Sequence, residues 1–221
     1  MCGRFSLFAS GELISQQFGV SVDHDLEPRY NIAPTQPVAA VRQTADGQGR
    51  EFTYLQWGLI PSWAKDPKIG SRMINARSET VTEKPSFRAA FKRRRCLIPA
   101  SGFYEWQKTA NGKQPMFIRP AGDELFGLAG LWEYWESADG STIHSCTILT
   151  TEPNELMAAI HNRMPVIIEA EDYSMWLDPG PDPTDAQHLL RPYTAQKMVA
   201  YPVSTAVNNP RNENPQCVQP I

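Results

Sequence analysis

Gly102-Phe103-Tyr104-Glu105-Trp106-Gln107-Lys108-Thr109-Ala110-Asn111-Gly112-Lys113-Gln114-Pro115-Met116-Phe117-Ile118-Arg119-Pro120 is the stretch on which the reading of the fold turns. Aromatic and apolar runs flank Asn111-Gly112, a dipeptide that tolerates the positive φ of a tight hairpin turn. Asp46-Gly47 and Asp139-Gly140 repeat the arrangement, so antiparallel sheet is expected to dominate. Between these hairpins the apolar period changes from two to about 3.6. Ser10 is placed to cap a short helix carrying Leu13, Ile14 and Phe18, and helical spacing returns around Phe87, Ala90 and Phe91, from Leu156 to Ile160, and from Tyr173 to Leu177. The class is therefore mixed α+β with a sheet core. Pro28, Pro34 and Pro37 bracket Arg29-Tyr30-Asn31-Ile32-Ala33-Pro34 as ordered loop, Pro179 to Pro183 reads as another loop, and an irregular tail is expected from about residue 210.

The chain has 221 residues, 41% of them hydrophobic and 20% charged, which fits one globular domain over 1–221 and excludes disordered and fibrous classes. No apolar run approaches the roughly 20 residues of a membrane span, and no leader pattern opens the sequence, so a cytoplasmic protein is expected. Cys2, Cys96, Cys146 and Cys217 lie far apart, which argues against a disulfide scaffold and structural zinc. No metal or other cofactor is expected. Net charge is −3, yet residues 1–119 hold 17 Lys+Arg against 10 Asp+Glu (+7), and residues 120–221 hold 4 against 14 (−10). Such asymmetry is suited to a positive face for a polyanion.

Cys2 carries the most chemical information. Removal of Met1 leaves a 1,2-aminothiol whose amine and thiol have ordinary pKa values of about 7.7–8.0 and 8.5, so both are useful near neutrality. Toward an aldehyde the amine forms an imine and the sulfur closes a thiazolidine. The competing reading of Cys2 is a small buried residue near a chain end. Arg4 offers a guanidinium fork for phosphate, or is a surface arginine. Strand alternation sends Asn75 and Arg77 to one side. Glu105 sits among aromatics, where burial raises a carboxyl pKa toward that of a general acid; its alternative is an outward strand position. His161 lies at a helix–strand junction suited to proton transfer, whereas His24, His144 and His188 sit in unremarkable surroundings. Trp57-Gly58-Leu59-Ile60-Pro61-Ser62-Trp63 offers rings either for stacking on bases or for the core, and Lys92-Arg93-Arg94-Arg95 reads as a solvated helix end and strand start.

Six blocks in order, Cys2-Gly3-Arg4-Phe5, Arg29-Tyr30-Asn31-Ile32-Ala33-Pro34, Trp57-Gly58-Leu59-Ile60-Pro61, Ile74-Asn75-Ala76-Arg77-Ser78-Glu79, Gly102-Phe103-Tyr104-Glu105-Trp106 and His161-Asn162-Arg163-Met164-Pro165, resemble the SRAP (SOS response-associated peptidase) family of abasic-site processing proteins. The resemblance covers residue 2 to about 209. It implies a mainly antiparallel, barrel-like β core with a few flanking helices, acting as a monomer on single-stranded DNA or a single-strand/double-strand junction. It further implies capture of an abasic sugar as a thiazolidine crosslink, with lyase-type imine chemistry alongside. By that resemblance Cys2 is the nucleophile, Asn75 orients the sugar or the terminus, Glu105 assists ring opening, and His161 moves protons and serves reversal. Arg4, Arg77, Trp63 and Arg163 would face DNA. Some relatives carry two adjacent tryptophans where this chain has Trp63-Ala64. Two other readings stay open on the residues alone: an N-terminal-nucleophile amidase or self-processing peptidase, and a noncatalytic single-strand-binding module.

Overall fold

A computed structural model describes residues 2–122, 124–178, 180 and 183–221. In chain order the elements are β1 (Phe5–Leu7), α1 (Gly11–Phe18), β2 (Arg29–Ile32), β3 (Pro37–Gln43), β4 (Arg50–Trp57), β5 (Asn75–Arg77), α2 (Arg88–Arg93), β6 (Arg95–Ala100), β7 (Gly102–Thr109) and β8 (Gly112–Pro120). There follow β9 (Phe126–Glu136), β10 (Thr142–Thr151), α3 (Glu155–Ala158), β11 (Met164–Pro165), β12 (Ile167–Ile168), α4 (Tyr173–Leu177) and β13 (Met198–Pro202), with short 3₁₀ turns between them.

Five strands close on themselves in the order β4-β3-β6-β9-β10, because β10 pairs antiparallel with β9 and parallel with β4. The three turn dipeptides each close a hairpin: β3–β4, β7–β8 and β9–β10. The expected barrel-like, mainly antiparallel core is present, with the parallel β4–β10 contact as its seam. At Cys146↔Trp57 β4 ends, and from Ile148 onward β5 takes its place along the same edge of β10. Gly58 makes that break possible: its φ is +132°, and a Cβ there would stand 2.6 Å from the Gly70 carbonyl oxygen. A second sheet, β13-β8-β7-β1-β2, packs on the barrel through one apolar cluster that includes Phe5, Phe103 and Ile118 with Val41, Leu97 and Leu131. Phe5 meets Trp57 edge to face at 5.2 Å.

The four expected helices are present and short. Ser10 Oγ accepts from the Leu13 N–H, Gly19 ends α1 at φ +63°, and the buried Phe18 stacks on Tyr173 at 5.0 Å. Trp176 of α4 donates through Nε1 to the Cys96 carbonyl, fixing that helix on β6.

Two expectations need correction. Arg29–Ile32 is an edge strand, not loop: it pairs with β1, and prolines are tolerated beside it because its other side needs no sheet partner. The basic run is solvated only at Lys92 and Arg93. Arg94 pairs with Glu133, and Arg95 is 4% exposed, its guanidinium donating to the carbonyls of Phe91, Trp176 and Asp178. Of the Pro179–Pro183 loop, residues 179, 181 and 182 lie outside the described residues, and Pro183 opens a 3₁₀ turn. The tail lacks long elements but is anchored: Glu213 accepts from the Tyr30 and Asn31 amides and pairs with Arg29, and Cys217 is buried. Among the described residues no helix is long and apolar enough to cross a membrane.

Candidate active site

The residue preceding β1 by three positions, Cys2, is fully buried where the second sheet meets the barrel. Its carbonyl accepts from Asn75 Nδ2 at 2.8 Å, so an amide on β5 of the barrel side holds a backbone that belongs to the other sheet. The other atom of that amide, Asn75 Oδ1, is buried without a hydrogen-bond partner among the described residues. Alternation along β5 works as expected: Ala76 points into the core while Asn75 is half-buried and Arg77 exposed.

Glu105 comes from β7, whose neighbour is β1; the Tyr104 N–H donates to the Arg4 carbonyl at 2.9 Å. The Glu105 carboxyl is 2% exposed and burial raises its pKa from 4.5 to about 7. Burial also pushes the Cys2 thiol well above its ordinary value, with the Glu105 charge acting in the same direction. This corrects the expectation of a thiol titrating near 8.5; the resting sulfur is a thiol that needs a base. His161 supplies a partner, its Nε2 4.0 Å from Glu105 Oε2. The Arg163 N–H donates to His161 Nδ1 at 3.1 Å and the Arg163 carbonyl lies 3.3 Å from the same atom, so the backbone of residue 163 holds the ring with Nε2 toward Glu105. Burial lowers the His161 pKa, with Lys108 and Lys113 among the charges acting in the same direction.

Outside this group an open cleft of about 560 Å³ is lined by Arg77, Glu105, Lys108, Lys113, His161 and Arg163, together with Trp106, Thr150 and Asn162. Cys2 is fully buried and does not line it. The two lysines face each other directly across the β7–β8 hairpin, and neither forms an ion pair among the described residues. Opposed like charges weaken a strand pair, and here they make a cationic rim. Neither lysine was expected at the site, although their equal distance from Ala110-Asn111, the centre of the turn, encodes the register.

Three expected DNA-facing residues have protein partners or different settings. Arg4 Nη1 donates to Asn31 Oδ1 and to the Val207 carbonyl, both at 2.7 Å, and the guanidinium lies 6.0 Å from the Trp106 ring centroid. Arg163 forms a two-pronged pair with Glu79 (2.5 and 2.9 Å) and donates to the Thr150 carbonyl at 2.6 Å, so its fork is occupied. Trp63 is 59% exposed, whereas Trp57 is core, its Nε1 donating to the Ile74 carbonyl. Ala64 is packed under the same loop, its carbonyl accepting from Trp135 Nε1.

The two-sheet scaffold is that of an SRAP-type domain, and the chain belongs to that family: the model described as SOS response associated peptidase (SRAP) matches residues 1–210. The chain is 46% identical to the abasic site processing protein YoqW of Bacillus subtilis, with 99% of each covered. It is 37% identical to the abasic site processing protein HMCES of Xenopus tropicalis, over 88% of this chain and 67% of that one. Among solved structures, a Bacteroides thetaiotaomicron protein superposes with a TM-score of 0.89 at 27% identity, each chain covered completely.

Proposed function

We propose that this chain captures abasic sites in single-stranded DNA, or at a single-strand/double-strand junction, as a thiazolidine crosslink on Cys2 after Met1 has been removed. The observation that carries the reading is the convergence of Cys2, Asn75, Glu105 and His161 from separate parts of the fold beside a cationic cleft. The names of the relatives, abasic site processing proteins, support the substrate.

Chemically, Glu105 with a pKa of about 7 is near half-protonated at neutrality, so it both donates a proton to the ring oxygen of the closed sugar and later accepts one. The freed Cys2 amine adds to the exposed aldehyde carbon and water leaves, giving an imine. Sγ then adds to the same carbon while its proton passes through Glu105 and His161 to the nitrogen; one water is released overall. Asn75 fixes the Cys2 carbonyl through Nδ2, and its vacant Oδ1 is an acceptor for the new terminal amine. The raised thiol pKa favours this order, amine first and sulfur second. An imine that fails to close is open to β-elimination, so lyase activity competes with capture. Arg77, Lys108 and Lys113 attract the phosphate backbone, and the exposed Trp63 is available to stack on a base. The whole chain acts as one domain and one copy in this scheme.

Intact mass of the purified protein, before and after mixing with a single-stranded abasic oligonucleotide, tests it. The expected product is Met1-free protein plus DNA less one water, and Cys2→Ala forms no heat-stable adduct while retaining some imine-dependent nicking. A heat-stable adduct on Cys2→Ala, or none on Met1-free parental protein, refutes the proposal. Turnover of a peptide or amide in place of the adduct would favour the amidase reading.

A further inference from the structure

Among the described residues Thr35 alone holds a positive φ, +73°, without being glycine. It is exposed in the turn between β2 and β3, where the Gln36 N–H returns to the Ala33 carbonyl at 3.4 Å and Pro34 precedes it. A turn with proline at its second corner and positive φ at its third is built for glycine or asparagine there, and a β-branched side chain is among the poorest fits. The conformation is imposed from outside. The Thr35 N–H donates to the Trp57 carbonyl at 2.8 Å, and the Ala33 N–H donates to Gln36 Oε1 at 3.1 Å.

Those same contacts tie the turn to the reacting cysteine. Trp57 Nε1 donates to the Ile74 carbonyl, one residue before the Asn75 that holds Cys2. β1 and β2 run antiparallel with Phe5 opposite Ile32, so the chain before Phe5 and the chain after Ile32 leave the pair at one end. Cys2 and Thr35 therefore share that end of the sheet. The turn's amides at 33 and 35 are consumed by protein acceptors, and the Thr35 hydroxyl has no hydrogen-bond partner among the described residues. It is the donor the turn leaves open to solvent.

Resting on the capture reading above, we infer that Thr35 is a DNA-contacting residue whose hydroxyl donates to a phosphate oxygen of the nucleotide held at Cys2. Strain of this kind persists where a side chain is needed at a position the backbone would cede to glycine. Arg77 and the two hairpin lysines supply charge, and Thr35 supplies a directional hydrogen bond that sets where along the strand the lesion stops.

The test uses Met1-free protein and a single-stranded abasic oligonucleotide, following crosslinking rate against DNA concentration. In Thr35→Gly the half-saturating DNA concentration rises about tenfold, the loss expected for one hydrogen bond to a charged acceptor, while the saturating rate stays within about twofold. The same variant melts no lower than the parent, and up to about 4 °C higher, because the strain is gone. Thr35→Ser, which returns the hydroxyl, recovers the parental half-saturation to within about threefold. Parental half-saturation in Thr35→Gly overturns the inference, as does a lowered melting temperature accompanying the loss, or a serine variant that recovers nothing. A parental protein that forms no adduct sinks the capture reading itself, and an active parent with an unaltered glycine variant sinks this inference alone.

Discussion

Replacing Glu105 with glutamine changes stability in a direction that depends on pH. The carboxyl is 2% exposed and burial lifts its pKa from 4.5 to about 7, which makes the ionised form cost on the order of 3 kcal/mol in the folded state. Because the folded pKa is raised above the unfolded value, the folded chain keeps its proton through the window from about 4.5 to 7 while the unfolded chain releases it. Stability from this group is therefore greatest below pH 4.5, falls as pH rises through the window, and levels off above it. Glutamine carries no proton to lose. Urea midpoints for parent and Glu105→Gln at pH 5 and pH 8 isolate the effect: the variant gains on the parent by about 2–3 kcal/mol between the two pH values. His161, 4.0 Å away, couples to the carboxyl, so both proteins are made in a His161→Ala background, which removes that titrating neighbour from the comparison. A parent–variant difference that is the same at both pH values would refute the account of Glu105 as a carboxyl held neutral by burial.

Gly58→Ala should cost about 2–4 kcal/mol in urea unfolding, since the methyl meets the Gly70 carbonyl at 2.6 Å on a backbone at φ +132°. Lys108→Gln with Lys113→Gln should flatten the salt dependence of single-strand binding, lowering the log–log slope by about 1.4, as anisotropy titrations across ionic strength would reveal. In that double variant His161 should titrate higher, because two of the charges that depress it are gone; NMR of the ring protons measures this. Arg163→Lys loses the two-pronged contact that is the largest cause holding the Glu79 pKa low. The Glu79 carboxyl should then titrate closer to its ordinary value, and stability present above that value is lost at less acidic pH; a carbon-detected titration of Glu79 showing no movement would contradict the assignment.

What could be read from the sequence was local. The hairpins are encoded in Asn111-Gly112, Asp46-Gly47 and Asp139-Gly140, and α1 in Ser10 with Ile14 and Phe18, because turn φ values and caps depend on adjacent residues. Burial of Glu105 was legible for a similar reason, its strand neighbours being aromatic. β2 was misread because its partner is a three-residue strand near the start of the chain, and three flanking prolines outweigh four residues in any local count. The β4–β10 seam joins Trp57 to Cys146 in parallel, a pairing no short-range pattern announces. Nor does residue type disclose that Arg163 is engaged by Glu79, or that Thr35 has a backbone of the wrong hand; both depend on what tertiary contacts leave over.

The bond from Arg4 to the Val207 carbonyl spans 203 positions of sequence. During synthesis, then, the segment that steadies Arg4 follows it by 203 residues, and Asn31, which also holds Arg4, is itself fastened to the carbonyls of Val207, Asn209 and Asn212. A nascent chain can expose Cys2 long before it has a finished cradle for it. Under the capture chemistry proposed above, reactivity toward aldehydes waits on the segment around Val207, and deletions there should disarm Cys2.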